Sequence, residues 1–532
     1  MKRFCVTAGI ILAALCMTAC GSAAAPESGE TKTGQETAST AGEAPEAKEG
    51  ATGEAQQAAT KVPVPENFLE GVDLVGAEVV NHDFKDASVH DPSVIKVEDT
   101  WYVFGSHLAA AKSEDLVNWK LIASGVKEKN PIIPDALNEM KEAFTWAGTA
   151  TFWAPDVIQL ADEKFYMYYC NCEGSSPRSA LGLAVADSVE GPYRDLGIFL
   201  KSGQNAAQKD ENGDIYDATQ EPNVVDPDVF FDKEGRLWMV YGSYSGGIFI
   251  LELDPETGLP LEPGYGKKLL GANHLRIEAP YMLYSPETDY YYLFLSFGGL
   301  AADGGYNIRV CRSKNPDGPF VDSMGQNMID CKGADGSFFD DEAAAKYGTK
   351  LMGNFSFPHV EGENGKIRSG YISPGHNSAY YEEETGRYYL IFHSRFEGRG
   401  ESHQIRVHQM FLNEDGWFVV SPYRYAQEEL EPVREEDICG PWKYINHRHD
   451  ITAEVRSAEN IVLQEDHTVT GAVNGSWELV HENDAVLTLD GVVYKGKWIR
   501  EYDQFGKKKV MTFTALNAES GVSVWGSGYE AQ

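Results

Sequence analysis

The sequence of 532 residues has few basic side chains and few long helical patterns. Lys and Arg together number 45 against 81 Asp and Glu, which gives a formal net charge of -36. Proteins that bind nucleic acid by neutralising phosphates need a basic face, so this class is excluded. A polybasic contact with a membrane surface is disfavoured for the same reason. The scarcity of Leu/Ala/Glu repeats excludes a coiled coil or a helical bundle.

Cysteine is also scarce. Of the eight cysteines, three lie within the first 20 residues. The five that remain are an odd number, so the sequence predicts no disulfide framework. Cys170 and Cys172 share one face of a predicted strand, where a metal or redox role is conceivable. Two buried strand cysteines are the favoured interpretation.

The N-terminal residues have the pattern of an export signal. Two basic residues precede an apolar run over 4–16, which is too short for a transmembrane helix. The sequence Thr-Ala-Cys-Gly around Cys20 resembles a bacterial lipobox, although Met17 stands where Leu is usual. The resemblance implies a lipoprotein signal peptide over 1–20 and acylation of the Cys20 thiol. An ordinary secretory signal with an incidental cysteine is the alternative.

The segment after the signal is poor in large apolar side chains. Residues 22–66 consist mainly of Ala, Gly, Glu, Thr, Ser, Gln and Pro, which cannot bury enough surface to offset the ordering entropy. We therefore expect a disordered tether over 21–70. With the lipid anchor, this predicts a location at the extracellular face of a bacterial cell membrane, or secretion.

Glycine and aromatic residues are abundant and follow a repeat. Five segments begin alike, four of them with Pro before an apolar strand, and each is followed by a second, aromatic strand. The segments start at 90–95, 153–158, 225–230, 278–283 and 376–381. Repeated units rich in Gly and aromatics are typical of a β-propeller, and Pro is tolerated where a strand begins. We predict an all-β protein with a five-bladed propeller over 75–428.

The remaining residues, from about 430, alternate polar and apolar positions between glycine turns. This pattern predicts a small C-terminal antiparallel β-barrel over 430–532. No set of residues typical of catalysis or metal binding occurs in it.

Three carboxylates stand at the beginnings of repeat units, namely Asp91, Asp226 and Glu278. The first strand of a propeller blade lines the central axis, so these groups should meet in one funnel. Acidic residues are usually solvated surface groups. Three acids around one axis repel one another, which favours a functional role. Two carboxylates across a polar funnel can act as acid and base in glycoside hydrolysis, and a third can raise the pKa of the acid.

The same segments resemble glycoside hydrolase family 43, and among its members the endo-α-1,5-L-arabinanases. The matching motifs are His-Asp-Pro-Ser-Val-Ile at 90–95, Trp-Ala-Pro-Asp-Val at 153–157, Val-Asp-Pro-Asp-Val-Phe-Phe-Asp at 225–232, Gly-Arg-Leu-Trp-Met-Val-Tyr-Gly-Ser-Tyr at 235–244 and Glu-Ala-Pro-Tyr-Met at 278–282. Segments 373–378 and 422–425 resemble the arabinanases that end in a β-barrel. The resemblance covers about 80–530 and itself implies a five-bladed propeller.

The resemblance also implies roles for the three acids. Asp91 would be the general base, Glu278 the general acid and Asp226 the group that raises the pKa of the acid and orients it. The family inverts the anomeric configuration, so a water must fit between base and sugar. The carboxyl groups of Asp91 and Glu278 should therefore lie about 6.5–9.5 Å apart.

The family's substrate contacts map onto a further group of residues. They are Trp153, Gly174, Asn223, Gly242, Ser243 and Tyr244. Trp153 offers a face on which a sugar can stack, with a core tryptophan as the alternative. Gly174 lets a sugar approach the backbone, or is only part of a turn. Val224 and Val225 replace the Ala-Ile that is usual in the family.

His376 begins the fifth unit. In the resembling arabinanases this histidine holds a hydrated ion in the axial channel, commonly calcium. Calcium prefers oxygen ligands, so water would supply most of its coordination. A structural histidine is the alternative. The expected partners are this ion and the polysaccharide arabinan of pectin side chains, with no nucleic acid, membrane contact only through the lipid anchor, and a monomeric protein.

Two other functions remain open at this point. One is exo-acting hydrolysis by an α-L-arabinofuranosidase or β-xylosidase on the same fold, which an open groove or a closed pocket would distinguish. The other is a non-catalytic glycan-binding lipoprotein of an uptake system. The presence of all three acids argues against this last function.

Overall fold

The computed structural model describes residues 82–204, 215–359 and 369–529. The predicted signal peptide over 1–20, the predicted lipidation site Cys20 and the predicted tether over 21–70 all lie outside the described residues. No helix in the described ranges has the length and apolar character needed to cross a membrane.

Three separate antiparallel sheets of four strands come first. The first contains β1 (Ser93–Val97), β2 (Thr100–Gly105), β3 (Ala109–Ser113) and β4 (Lys120–Ala123), and is followed by α1 (Ala136–Glu139) and α2 (Lys141–Ala147). The second contains β5 (Trp153–Gln159), β6 (Phe165–Cys172), β7 (Ser179–Ala186) and β8 (Arg194–Lys201). The third contains β9 (Asp228–Phe231), β10 (Leu237–Tyr241), β11 (Ile248–Leu253) and β12 (Lys267–Leu270).

Two further groups of four strands have the same order but belong to larger sheets. The fourth group contains β13 (Ile277–Ser285), β14 (Tyr290–Phe297), β15 (Asn307–Ser313) and β16 (Thr349–Met352), with α3 (Asp341–Ala344) in the long β15–β16 connection. After β17 (Phe355–Phe357), the fifth group contains β18 (Ser369–Glu382), β19 (Arg387–Arg395), β20 (His403–Leu412) and β21 (Phe418–Val420). Short 3₁₀ turns occur at Ser106–Leu108, Met328–Asp330 and Glu435–Asp437.

Apolar side chains fill the spaces between successive groups. Met167 of the second group packs in a cluster with Phe104 of the first, and Met239 of the third packs with Tyr168 of the second. Comparable clusters join the third group to the fourth and the fourth to the fifth. Ile391 of the fifth group shares a cluster with the first group, so the packing closes into a ring. The protein is therefore all-β with a propeller-like arrangement.

The C-terminal part is an eight-stranded antiparallel barrel. Its strands are β22 (Gly440–Asn446), β24 (Glu459–Leu463), β25 (Thr468–Gly471), β26 (Gly475–Val480), β27 (Asp484–Leu489), β28 (Val492–Asp503), β29 (Lys508–Asn517) and β30 (Val522–Gly528), and β23 (Arg456–Ser457) lies outside it. Pairing of β30 with β22 closes the barrel around buried Trp442, Trp477 and Trp498. The barrel predicted from the alternating pattern is confirmed.

Pairing of β17 with β23, and of β16 with β30, connects the two parts of the fold. The five cysteines of the described residues are free and buried, and Cys170 donates to the carbonyl of Ala154. This arrangement agrees with the interpretation of Cys170 and Cys172 as buried strand residues.

Candidate active site

Left-handed backbone conformations recur where the first strands of the repeats begin. The φ angles are 58° at Asp91, 56° at Asp226, 56° at Ala279 and 46° at His376. For residues with a Cβ this conformation costs roughly 1–2 kcal/mol. Such strain persists only where the surrounding structure enforces it, and it is frequent at functional sites. Here the left-handed conformation recurs at the same position of four repeat units. Two of these residues are the acids Asp91 and Asp226, and Ala279 directly follows the third acid, Glu278.

Asp91 is held as an ionised carboxylate. His90 Nδ1 donates to Oδ2 over 2.7 Å, and Ser106 Oγ donates to the same oxygen. His376 Nδ1 lies 3.0 Å from Oδ1. Burial alone would raise the pKa of Asp91, but the charges and hydrogen bonds of His376 and His90 lower it well below its usual value. A buried carboxylate that stays charged can accept a proton.

Glu278 lies in a different electrostatic environment. Ser243 Oγ donates to Oε2 over 2.8 Å, and the Tyr306 hydroxyl donates to Oε1 over 2.9 Å. Burial raises the pKa of Glu278, and Asp91 adds to the increase; His376 and the two hydrogen bonds oppose it without cancelling it. The group therefore holds its proton to a higher pH than an exposed glutamate does.

Asp226 is coupled to Glu278. Its Oδ2 accepts a hydrogen bond from the Ala279 amide over 3.2 Å. Burial, together with the negative charges of Glu278 and Asp91, raises the pKa of Asp226 to about 7, while His376 opposes the shift. Two buried acids that interact this strongly titrate as a pair. The pair Asp226 and Glu278 therefore retains a proton at pH values where Asp91 is ionised.

His376 carries the compensating charge. Burial lowers its pKa, but Asp91, Asp226 and Glu278 together raise it to about 9. The backbone amide donates to Ser296 Oγ over 2.7 Å, which fixes the start of the strand. Because Nδ1 faces Asp91, Nε2 is the nitrogen left to bind a metal, and an ion there would replace the Nε2 proton together with its positive charge. A histidine that donates its other N–H to a carboxylate is the usual arrangement in metal sites, so His376 fits the predicted ion.

His90, His393 and Arg395 form a contact network next to Asp91. His393 Nδ1 accepts from the Asp91 amide over 3.1 Å, and the His90 and His393 rings stack with centroids 4.0 Å apart. The two terminal guanidinium nitrogens of Arg395 contact one ring each, Nη1 lying 3.3 Å from His393 Nε2 and Nη2 lying 3.3 Å from His90 Nε2. Asp91, His90 and His393 are close enough to hold an ion. Arg395 already supplies a cation there, so we assign this cluster to the positioning of Asp91.

Trp153 is partly exposed, which leaves part of its ring free for a ligand. Its indole N–H donates to the Cys172 carbonyl over 2.9 Å, and the ring packs against the core between the second and third groups. A Cβ on Gly174 would lie 3.5 Å from the Trp153 ring, so Gly174 borders the ring. His107 lies 5.4 Å from the same ring, between centroids.

The other predicted substrate-binding residues, Asn223, Gly242, Ser243 and Tyr244, make contacts within the protein. Asn223 accepts a hydrogen bond from Ser179 Oγ, and Ser243 donates to Glu278 rather than only facing the funnel. Gly242 has a φ of 127°, and a Cβ there would lie 2.4 Å from the Gly247 carbonyl, so the chain requires glycine for packing. Tyr244 follows with its ring 5.5 Å from that of Phe339.

Four residues of the site come from second strands and loops and were not predicted from the sequence. Ser106, Tyr306 and His393 contact an acid directly, and Arg395 contacts His90 and His393. A signal existed for His393. The strand register pairs Glu278 with Ser296 and Gly375 with His393, so extending the repeat alignment to the second strands would have found it. No repeat pattern marks Tyr306, which precedes a third strand.

Comparison with known proteins adds independent findings. The family model for glycosyl hydrolases family 43 matches residues 84–345, and that for a C-terminal lipocalin-like domain matches residues 422–526. The chain is 58% identical over 445 residues to an extracellular endo-alpha-(1->5)-L-arabinanase 2 of Bacillus subtilis, covering 84% of this chain and 93% of the relative.

Two solved structures have the same architecture. A family 43 glycoside hydrolase of Bacillus licheniformis superposes with a TM-score of 0.81 at 57% identity, and covers 84% of this chain and 99% of its own. The endo-1,5-alpha-L-arabinanase of Thermotoga petrophila superposes with a TM-score of 0.80 at 51% identity, with the same two coverages.

Proposed function

The chain belongs to glycosyl hydrolase family 43, and from that premise we propose how its active site works. The protein is an arabinan-cleaving glycoside hydrolase, an endo-α-1,5-L-arabinanase. One observation carries the mechanism. Asp91 is buried against His90 and His376, which lower its pKa well below the usual value, while burial raises the pKa values of the neighbouring Asp226 and Glu278. An acid and a base in opposite protonation states are the requirement for acid–base cleavage of a glycosidic bond.

In the proposed mechanism, Asp91 accepts a proton from a water molecule as that water attacks the anomeric carbon. Glu278 donates its proton to the oxygen of the leaving arabinosyl unit. Water attacks from the face opposite the leaving group, so the anomeric configuration inverts. His90, Ser106 and His376 hold the Asp91 carboxylate in place for this step.

Asp226 acts on the acid. Its carboxylate and that of Glu278 cannot both ionise cheaply in a buried site, so the pair keeps a proton available near neutral pH. Ala279 directly follows Glu278 in the chain, and its amide donates to Asp226, so this hydrogen bond holds Asp226 beside the beginning of the strand that carries Glu278. Trp153 supports sugar stacking, and Ser243 orients the acid.

Incubation with linear arabinan tests the assignment. We expect a ladder of arabino-oligosaccharides, and products whose first-formed anomer, observed by NMR, is inverted. Asp91→Asn should lower kcat by about 10²–10⁴-fold while folding is retained, because general-base catalysis contributes that much. Turnover of Asp91→Asn near that of the wild type would refute the role of Asp91.

The same incubation separates the alternatives. Release of arabinose alone, or preferential cleavage of aryl-arabinofuranosides or xylan, would indicate an exo-acting enzyme. Binding of arabinan without hydrolysis would indicate a glycan-binding protein. The retention of all three acids in opposed protonation states supports hydrolysis.

We also propose that His376 binds a calcium ion through Nε2, with water as the remaining ligands. The ion would add positive charge near the three acids. Protons compete for the same nitrogen, so affinity should fall as pH falls. Metal analysis of the purified protein and of His376→Ala tests this proposal.

Three further proposals concern architecture and location. The five four-stranded groups, closed by apolar packing of the fifth on the first, support a five-bladed propeller over 75–428 followed by the domain at 430–532. The N-terminal pattern supports cleavage before Cys20, lipidation and display outside the cell, and we expect the protein to be a monomer. Mass spectrometry of the mature N-terminus and light scattering test these proposals.

A further inference from the structure

Two aromatic side chains are exposed on the β15–β16 connection. Phe338 is 66% exposed and Phe339 is 44% exposed, with ring centroids 4.3 Å apart. Phe338 is the most exposed large apolar side chain within the described ranges. Adjacent exposed aromatics forfeit hydrophobic stabilisation, so a pair of this kind marks a binding surface rather than ordinary surface variation.

The pair is continuous with the active site. The Phe339 ring meets that of Tyr244 edge-on, with centroids 5.5 Å apart and an interplanar angle of 81°. Tyr244 directly follows Ser243, which donates to Glu278. The backbone amide of Tyr244 also donates to the Ile277 carbonyl over 2.9 Å, at the start of the strand that carries Glu278. The aromatic pair therefore lies on the face of the propeller that holds the acid.

Hydrogen bonds hold the loop in this position. The Phe339 amide donates to the His274 carbonyl over 3.3 Å, and Arg276 Nε donates to Asp341 Oδ1 over 2.9 Å. The His274 ring lies 4.8 Å from that of Phe338. The rings are fixed outward before any ligand arrives, which lowers the entropy cost of binding one.

We propose that Phe338 and Phe339 form a platform that binds arabinofuranose units of the chain away from the cleaved bond, a proposal that rests on the proposed function. Sugar rings present apolar C–H faces to aromatic rings. Arabinan is uncharged, so the net charge of -36 does not oppose its binding. Continuity with Tyr244 selects the polysaccharide already at the active site as the occupant. His274 and Arg276 beside the rings can bind its hydroxyl groups.

A platform remote from the cleaved bond distinguishes long substrates from short ones. Replacement of both residues by Ala should lower the ratio of kcat/KM for arabinohexaose to kcat/KM for arabinotriose about tenfold, since one stacked ring contributes on the order of that factor. Phe338→Tyr keeps an aromatic ring and should retain the wild-type ratio. Phe231→Ala is the matched control, because Phe231 is 41% exposed at the end of β9 away from Asp226.

Calorimetric binding of arabinohexaose to proteins that also carry Asp91→Asn, which slows cleavage, provides a readout that does not depend on turnover. In this background the double variant should bind arabinohexaose about tenfold more weakly than the protein with both Phe residues, and it should unfold at a similar temperature. An unchanged ratio and unchanged affinity, or equal losses in Phe231→Ala, would overturn the platform. Wild-type protein that binds arabinohexaose without cleaving it would overturn the proposed function instead, and the affinities of the variants would still decide the platform. If the double variant fails to fold, the single variants Phe338→Ala and Phe338→Tyr give the same comparison.

Discussion

The hydroxyl of Tyr306 should control the pH range over which the acid works. It donates to Glu278 Oε1 over 2.9 Å and favours the ionised form of that carboxyl. Burial raises the pKa of Tyr306 itself well above its usual value, so the hydroxyl remains a donor throughout the working range. Tyr306→Phe removes the donor and keeps the ring, which packs closely on Gly375.

The size of the effect follows from the hydrogen bond. A hydrogen bond to a charged group contributes about 1.5–3 kcal/mol, and 1.36 kcal/mol corresponds to one pKa unit. Ser243 still donates to Oε2, and Glu278 is coupled to Asp226, so we expect a shift of about one unit. The shift is upward, because the ionised form loses a partner. The acid must be protonated, so the basic limb of kcat/KM should move to higher pH.

The assay is the pH dependence of kcat/KM on linear arabinan from about pH 4 to 10. Neither protein should lose activity toward pH 4 through protonation of Asp91, because the pKa of Asp91 lies well below its usual value. Tyr193→Phe is the matched control, because its buried hydroxyl donates to the Val189 carbonyl over 2.9 Å in the core between the first two groups. It loses a comparable hydrogen bond without contact to an acid. A basic limb that does not move in Tyr306→Phe, or that moves downward, would refute the reasoning.

Three other predictions concern the ion, a buried lysine and the N-terminal segment. His376→Ala should lower activity without unfolding the protein, and chelation should lower wild-type activity until calcium is restored; equal chelator sensitivity in both proteins would place the ion elsewhere. Lys350 is buried, and burial with nearby Arg309 lowers its pKa from 10.5 to about 7. The unfolded chain therefore binds this proton more tightly than the folded protein does, so the free energy of unfolding should rise between about pH 7 and 10.5. Lys350→Met should remove that pH dependence and stabilise the protein by ~1–3 kcal/mol near pH 7. The same pH dependence of thermal unfolding in the wild type and in Lys350→Met would contradict this. Deletion of residues 1–66 should leave a soluble, active enzyme with an unchanged melting temperature, and a large loss of stability would show that the segment packs on the folded part.

The repeats made the fold class predictable. The segments that begin at 90, 153, 225 and 278 start within about three residues of the beginnings of β1, β5, β9 and β13. They were recognisable because a proline followed by an apolar strand and then an aromatic strand is a local sequence signal. The barrel followed from alternation in the same way, since the side chains of a strand point to opposite faces with a period of two.

Closure of the barrel was not visible in the sequence. Trp525 of β30 pairs in register with Ile445 of β22, about 80 residues earlier. No local pattern specifies that pairing, because it depends on which strand edges remain free after the others have packed. The pairing of β16 with β30, which links the two parts of the fold, is of the same kind.

The sequence by itself determined the three acids, since Asp91, Asp226 and Glu278 occupy strand beginnings that any propeller directs toward its axis. Only the tertiary structure decided their protonation. The charge and hydrogen bond of His376 lower the pKa of Asp91 together with those of the adjacent His90. Ser106 donates to the same carboxylate, and the donor on Glu278 Oε1 comes from Tyr306. A pKa depends on burial and on charges within a few ångströms, and these neighbours are set by packing between strands far apart in the chain.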